Sequence, residues 1–301
     1  MLLAVCAAVL SVGVVAGCGS TASSSTQTSS SKAPPNSLQA VWDRPGENVT
    51  VVPGNMDFGP GIVRYSFLVV RKNGAPVYKA TAAVAVARGL DAVPFQHTTA
   101  RLERIGVGGE TESGDVEALY VAKLRLPKPG TYWLVAQPSG APVQALGQVQ
   151  VKANTASPAI GSPAPRTDTP KLGDAPIAQL TTRTPPDRDL LRWSVADSIA
   201  AHKPFVVVFA TPKFCQSRTC GPVVDVVEKV SKDFPRVRFI HVEIYTDNDP
   251  TKGENRWVRQ WRLPSEPWIF LVGRDGRVDA KFEGSISVDE LGAAVRRTLL
   301  R

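Results

Sequence analysis

Two cysteines toward the C-terminal end, Cys215 and Cys220, are the residues of this chain best suited to do chemistry. They stand in KPFVVVFATPKFCQSRTCGPVVDVVEKV (203–230). An apolar, β-rich run from Phe205 to Phe209 ends in the turn that carries them, and a Gly-Pro pair then opens an amphipathic helix. A thiol held between a buried strand and a helix N-terminus gains from the positive end of the helix dipole, which favours its thiolate. A thiolate attacks disulfides, so the chemistry on offer is thiol–disulfide exchange through a mixed disulfide. Lys213 and Arg218 add positive charge that acts in the same direction.

Spacing decides whether the two sulfurs can cooperate. If 215–220 were continuous α-helix, five steps would turn the second side chain by about 500° and raise it by about 7.5 Å. The thiols would then point apart, too far for a bond. Pro222 argues for the other arrangement, because proline fits best in the first turn of a helix. The helix is therefore expected to start near Gly221, with Cys220 just outside it and Cys215 at the end of the strand-loop.

The surrounding elements must hold this pair. Ser194 caps an expected helix over 194–203, with Asp197 three residues on. PFVVVFAT (204–211) reads as a strand covered on both faces. PVVDVVEKVSKDF (222–234) carries Val223, Val226, Val227 and Val230 on one helical stripe. VRFIHVEIY (237–245) is a second buried strand, and ENRWVRQWRL (254–263) a shorter helix. PWIFLVG (267–273) and RVDAKFEG (277–284) pair across RDGR, whose Asp275-Gly276 is a hairpin signal. SVDELGAAVRRTLL (287–300) closes the module as a helix.

This succession resembles the thioredoxin-like superfamily over about 110 residues, through FATPKFC…CGP and LPSEPWIFLVGRDGR. The resemblance implies an α/β thioredoxin-like fold over 188–301. It implies Cys215, which follows an aromatic residue, as nucleophile and Cys220 as resolving thiol. It also implies a cis Glu266–Pro267 bond beside the reactive sulfur, with Pro267 positioning the substrate. The place of the family's buried acid falls on Val207, and that of its buried lysine on His241. His241 is thus a candidate proton relay, with Glu243 on the same face; the competing reading is a satisfied core histidine. Copper-delivering relatives use two cysteines and a distant histidine, and here only His241 follows the cysteines. A third reading makes the disulfide a clamp in a non-catalytic, protein-binding module. No resident cofactor or metal is expected.

The start of the chain sets the compartment. Its first seventeen residues are apolar or small and end in VAGC (15–18), which resembles the lipobox of bacterial lipoproteins. That resemblance implies a signal peptide over 1–17 and an acylated Cys18. No Lys or Arg precedes the apolar run, so a start codon upstream is expected. Cys6 falls in the removed segment, which leaves Cys215 and Cys220 as a pair able to form a disulfide in an exported protein. A Ser/Thr-rich tether, 18–36, then leads off an extracytoplasmic membrane surface. The expected partners are that membrane, through the lipid on Cys18, and exported protein clients.

Between tether and C-terminal module, 37–152 reads as all-β. IVRYSFLVV, VYKATAAVAVA, EALYVAKLRL, TYWLVAQ and ALGQVQVK alternate with turns such as KNGAP and PKPG. LYVAKLRLPKPGTYWLVAQ resembles the late hairpin of immunoglobulin-like domains, which implies a β-sandwich. Its aromatics, Tyr65, Phe67, Tyr120, Tyr132 and Trp133, are expected in the core, and His97 in a polar surface loop. Residues 153–187, rich in Pro, Ser, Thr and Ala, read as a semi-extended linker or a draped strap. Thirty-five Lys and Arg against twenty-seven Asp and Glu give a formal charge of +8. The basic residues are scattered rather than clustered, which argues against a nucleic-acid face.

Overall fold

The computed structural model describes residues 33–107, 116–215 and 219–300. Cys18, the expected signal segment, most of the tether and Arg218 lie outside the described residues. A short helix α1 (Leu38–Trp42), capped by the Ser37 hydroxyl on the Ala40 N–H at 3.2 Å, comes first. Seven strands come after it: β1 (Glu47–Pro53), β2 (Gly61–Val70), β3 (Thr81–Ala87), β4 (Gln96–Arg104), β5 (Ala118–Leu126), β6 (Gly130–Pro138) and β7 (Val143–Val151). Their order is β1-β2-β5-β4-β3-β6-β7, and the sheet closes because β1 pairs antiparallel with β2 and parallel with β7.

Period-two alternation fills the barrel. Tyr65, Phe67 and Val69 of β2 and Tyr120, Ala122 and Leu124 of β5 are all buried in one core. Tyr65, Phe67 and Tyr120 stack at centroid distances of 5.4 Å. The Tyr120 hydroxyl donates to the Val77 carbonyl at 3.0 Å and accepts the Lys79 N–H at 2.8 Å, so its polar tip is satisfied inside the core. At the closing seam, a Cβ on Gly147 would sit 2.7 Å from Val51 Cβ. Only glycine lets β7 approach β1 this closely.

Beyond the barrel, the segment after β7 holds a single helical turn, α2 (Ile177–Leu180). Next comes a four-stranded sheet in the order β11 (Val278–Glu283), β10 (Trp268–Val272), β8 (Phe205–Phe209), β9 (Arg238–Val242). β8 and β9 are parallel, and β10 runs antiparallel to both β8 and β11. Helices α4 (Cys220–Ser231) and α6 (Val288–Leu299) cover one face, where Val206, Val208, Ile269 and Leu271 meet Val223, Val227, Leu291 and Val295.

The expected fold class is corrected in both halves. An immunoglobulin-like sandwich has two facing sheets with open edges, whereas β1 here pairs with both β2 and β7 and closes a single barrel. PFQHTTAR, expected as loop, supplies β4; its outward residues are polar, and His97 is exposed on that strand opposite Ala85. Nor is the C-terminal part the expected thioredoxin-like α/β domain. It is a small sheet with few helices, and 35% of the described residues are strand and 21% helix. The helices expected over 194–203 and 254–263 shrink to six residues each, α3 (Val195–Ala200) and α5 (Arg256–Trp261). His202 and Arg262, with φ of 50° and 51°, take the left-handed conformation that ends a helix.

The Pro-rich segment takes up part of the covering. The Gly161 and Ala164 N–H groups donate to the Val278 and Gly276 carbonyls at 2.7 and 2.8 Å, and Trp261 Nε1 donates to Thr167 Oγ1 at 2.9 Å. The barrel is locked to the same sheet. Arg64 meets both Glu290 oxygens, at 2.7 and 2.8 Å, and donates to the Ser285 carbonyl at 3.0 Å. Glu283 Oε2 accepts the N–H groups of Met56 and Asp57, each at 2.8 Å. The described residues between 33 and 300 form one compact unit.

Candidate functional site

Strand β8 delivers the chain to a turn over 211–214, and the helix behind it starts one residue earlier than the sequence indicates. Cys220 is the first residue of α4, with Thr219 at the N-cap. That shift places a main-chain donor where it acts on the other cysteine: the Cys220 N–H donates to Cys215 Sγ at 3.2 Å. Both residues are thiols. Cys215 is half-buried, whereas Cys220 is fully enclosed among Val208, Val223, Val224 and their neighbours.

A third group joins them. The donor atoms of Cys215, Cys220 and Glu266 all lie within 4.8 Å of one another. Glu266 reaches the pair from the opposite element, since it lies just ahead of β10 and its peptide bond to Pro267 is cis. The expected Glu266–Pro267 isomer is thus present beside the sulfurs. The Pro267 carbonyl accepts the Gly284 N–H at 2.9 Å and is committed to that contact.

The electrostatics of the trio arise from burial and crowding of acids. The Glu266 carboxyl is pushed up to about 8, first by desolvation and then by negative charge on Cys215, with a hydrogen bond from Cys220 acting in the opposite sense. Glu243 and Glu254 raise it further. The Cys220 thiol is held well above the usual thiol range, chiefly by its hydrogen bond with Cys215 and then by burial. One Glu266 oxygen, Oε2, is buried without a hydrogen-bond partner. The pair therefore divides its roles: Cys215 receives a hydrogen bond, and Cys220 keeps its proton.

His241 does not belong to this cluster. It is 3% exposed in β9, its Nε2 lies 3.0 Å from the Ala210 carbonyl, and its Nδ1 lies 3.3 Å from Thr181 Oγ1. Both nitrogens are engaged, as in a core histidine. Among the described residues, the set of donors close enough for a shared ion contains Glu266 and not His241, so the geometry gives no support to copper coordination through His241. Lys213 Nζ sits 5.3 Å from the Phe214 ring centroid. Trp261 and Trp268 are buried core residues, and Trp257 Nε1 donates to the Asp168 carbonyl at 2.8 Å.

A groove of about 280 Å³ leads from Glu266 and Thr219 to the barrel rim, walled by Pro53, Met56, Leu68 and Leu119. A larger cleft of about 690 Å³, between Ile62 of the barrel and Lys281 of β11, contains neither cysteine. Neither cysteine lines the smaller groove, but it reaches Glu266 and Thr219, the neighbours of the two thiols, and the larger cleft does not.

Glu266 is the residue that pattern reading missed. Its only local signal is an acid directly ahead of a proline that opens an apolar strand, in SEPWIFLV. Set against known families, the chain matches no family model, and no curated protein matches it. The thioredoxin-like resemblance, already at odds with the fold, has no family match behind it.

Proposed function

We propose that this protein carries out thiol–disulfide exchange, with Cys215 as the attacking thiol and Cys220 as the resolving one. One observation carries the reading: a half-buried sulfur accepts a main-chain N–H at a helix N-terminus, within 4.8 Å of a second, enclosed thiol. Donors aimed at a sulfur favour its thiolate, and partial exposure lets a client disulfide reach it. Cys220, shielded from solvent, is placed to attack Cys215 once that sulfur is tied to a client. The main chain at Glu266, beside Pro267 and open to the groove, is where an extended client segment would align. The clients we propose are exported polypeptides, reached from the outer face of a bacterial membrane. The VAGC motif supports lipid attachment at Cys18 and hence that location.

A disulfide that merely clamps the loop is the competing reading, and the full burial of Cys220 favours it. A redox titration of the Cys215–Cys220 couple separates the two. Exchange predicts a potential more oxidising than about −300 mV, and a value below that marks a structural bond. The variants make a second check. Cys220→Ser should accumulate a mixed disulfide with glutathione on Cys215, while Cys215→Ser should accumulate none. Failure of Cys220→Ser to trap any adduct would sink the exchange reading.

A further inference from the structure

Resolution of a mixed disulfide requires Cys220 to lose a proton, and the surroundings leave few groups to take it. The Cys220 side chain has no exposure to water. His241 is held by Ala210 and Thr181. Glu243 Oε1 accepts both the N–H and the hydroxyl of Thr182, at 2.6 and 2.7 Å, and its Oε2 is buried without a partner as Glu266 Oε2 is, but Glu243 is not in the set of donors within 4.8 Å of the sulfurs. The Glu266 carboxylate, by contrast, lies within 4.8 Å of both sulfurs, takes a hydrogen bond from Cys220, and keeps Oε2 without a hydrogen-bond partner. It also lines the smaller groove, together with Thr219.

From this geometry we infer that Glu266 is the general base and acid of the resolving step, a catalytic residue resting on the exchange reading. In the mixed disulfide, Cys215 Sγ is bonded to the client sulfur. The Glu266 carboxylate takes the Cys220 S–H proton, and Cys220 Sγ attacks Cys215 Sγ. The Cys215–client S–S bond breaks, and its electron pair leaves on the client sulfur. Glu266 then returns its proton to that thiolate. The two protein thiols are oxidised to a disulfide, the client is reduced by the same two electrons, and no further reagent is consumed.

Burial suits Glu266 to this exchange, because a carboxyl raised toward the thiol range passes a proton to and from sulfur with little penalty. The groups that face it are Cys215 before α4 and Cys220 within it, Glu243 and Tyr245 after β9, and Glu254 ahead of α5. Among the described residues that act on it, all carry negative charge or none. Loss of the Cys215 charge in the mixed disulfide removes one of the repulsions, so the carboxyl should titrate below about 8 in that state.

The test starts from full-length protein reacted at Cys215 with oxidised glutathione, and tracks release of glutathione against pH. For the unaltered protein the release rate should rise with pH and level off once Glu266 is ionised. Glu266→Gln should release glutathione at least about 100-fold more slowly at neutral pH, with a rate that keeps climbing and shows no plateau. Glu266→Asp, which keeps the carboxylate, should be slower than the parent but retain the plateau. A wild-type rate and profile in Glu266→Gln, or a plateau missing from a folded Glu266→Asp, would overturn the assignment and leave exchange itself standing. A parent protein that never forms the Cys215–glutathione adduct would instead remove the exchange reading on which it rests.

Discussion

Glu266 and Cys220 are acids that their surroundings hold in the protonated form, and this has a consequence for stability. A carboxyl raised from 4.5 to about 8 keeps a proton in the folded protein that the unfolded chain has already released. Over that window the folded state binds more protons, so stability falls as pH rises through it. The urea midpoint of the reduced protein should therefore drop between about pH 5 and pH 8 more steeply than that of Glu266→Gln. Equal slopes would show that the carboxyl is not raised. The cysteines and Pro267 could be picked out from residue type and spacing, because their chemistry is written in 203–230 and in EPW. Glu266 could not, because an acid before a proline is unremarkable until the fold lays it against two sulfurs.

At the scale of elements, alternation exposed the strands with an apolar inner face, β2, β3, β5, β6 and β7. It passed over β1 and β4, since ENVTVVP and QHTTARLER carry mostly polar residues on their outer positions. Those two strands decide the architecture, because β1 is the one that closes the barrel. Closure also makes a specific demand at Gly147, whose missing Cβ admits Val51. Gly147→Val should destabilise the protein by about 1–3 kcal/mol, the usual cost of overpacking. An unchanged denaturation midpoint for that variant would mean the seam can open without loss. The short α3 and α5 were overextended by helical periodicity, which does not register where a left-handed residue halts the turn.

For the whole molecule, the contact between barrel and C-terminal sheet is polar and ion-paired. Arg64 crosses it, with Glu290, Ser285 and the Phe282 ring as partners. Arg64→Ala should cost about 1.5–3 kcal/mol, the range for hydrogen bonds to charged groups. If the halves fold as one unit, far-ultraviolet circular dichroism and the fluorescence of a variant that keeps only the C-terminal tryptophans (Trp42→Phe with Trp133→Phe) should show a single shared transition. Two separated transitions would show that the interface does not couple them. The 153–187 segment belongs to this scale too, because its Pro and Ser content reads as linker while its backbone hydrogen-bonds to the β10–β11 hairpin.

Local order alone marked out the cysteine pair, the proline beside it, the all-β character of the N-terminal half and most strands, because these derive from side-chain chemistry and period-two patterning. Closure of the barrel, the thin helical covering of the C-terminal sheet, and the joining of Glu266 rather than His241 to the thiols were settled only in three dimensions. Each of these depends on which distant segments meet, and burial, charge crowding and strand pairing act between residues that the chain keeps far apart.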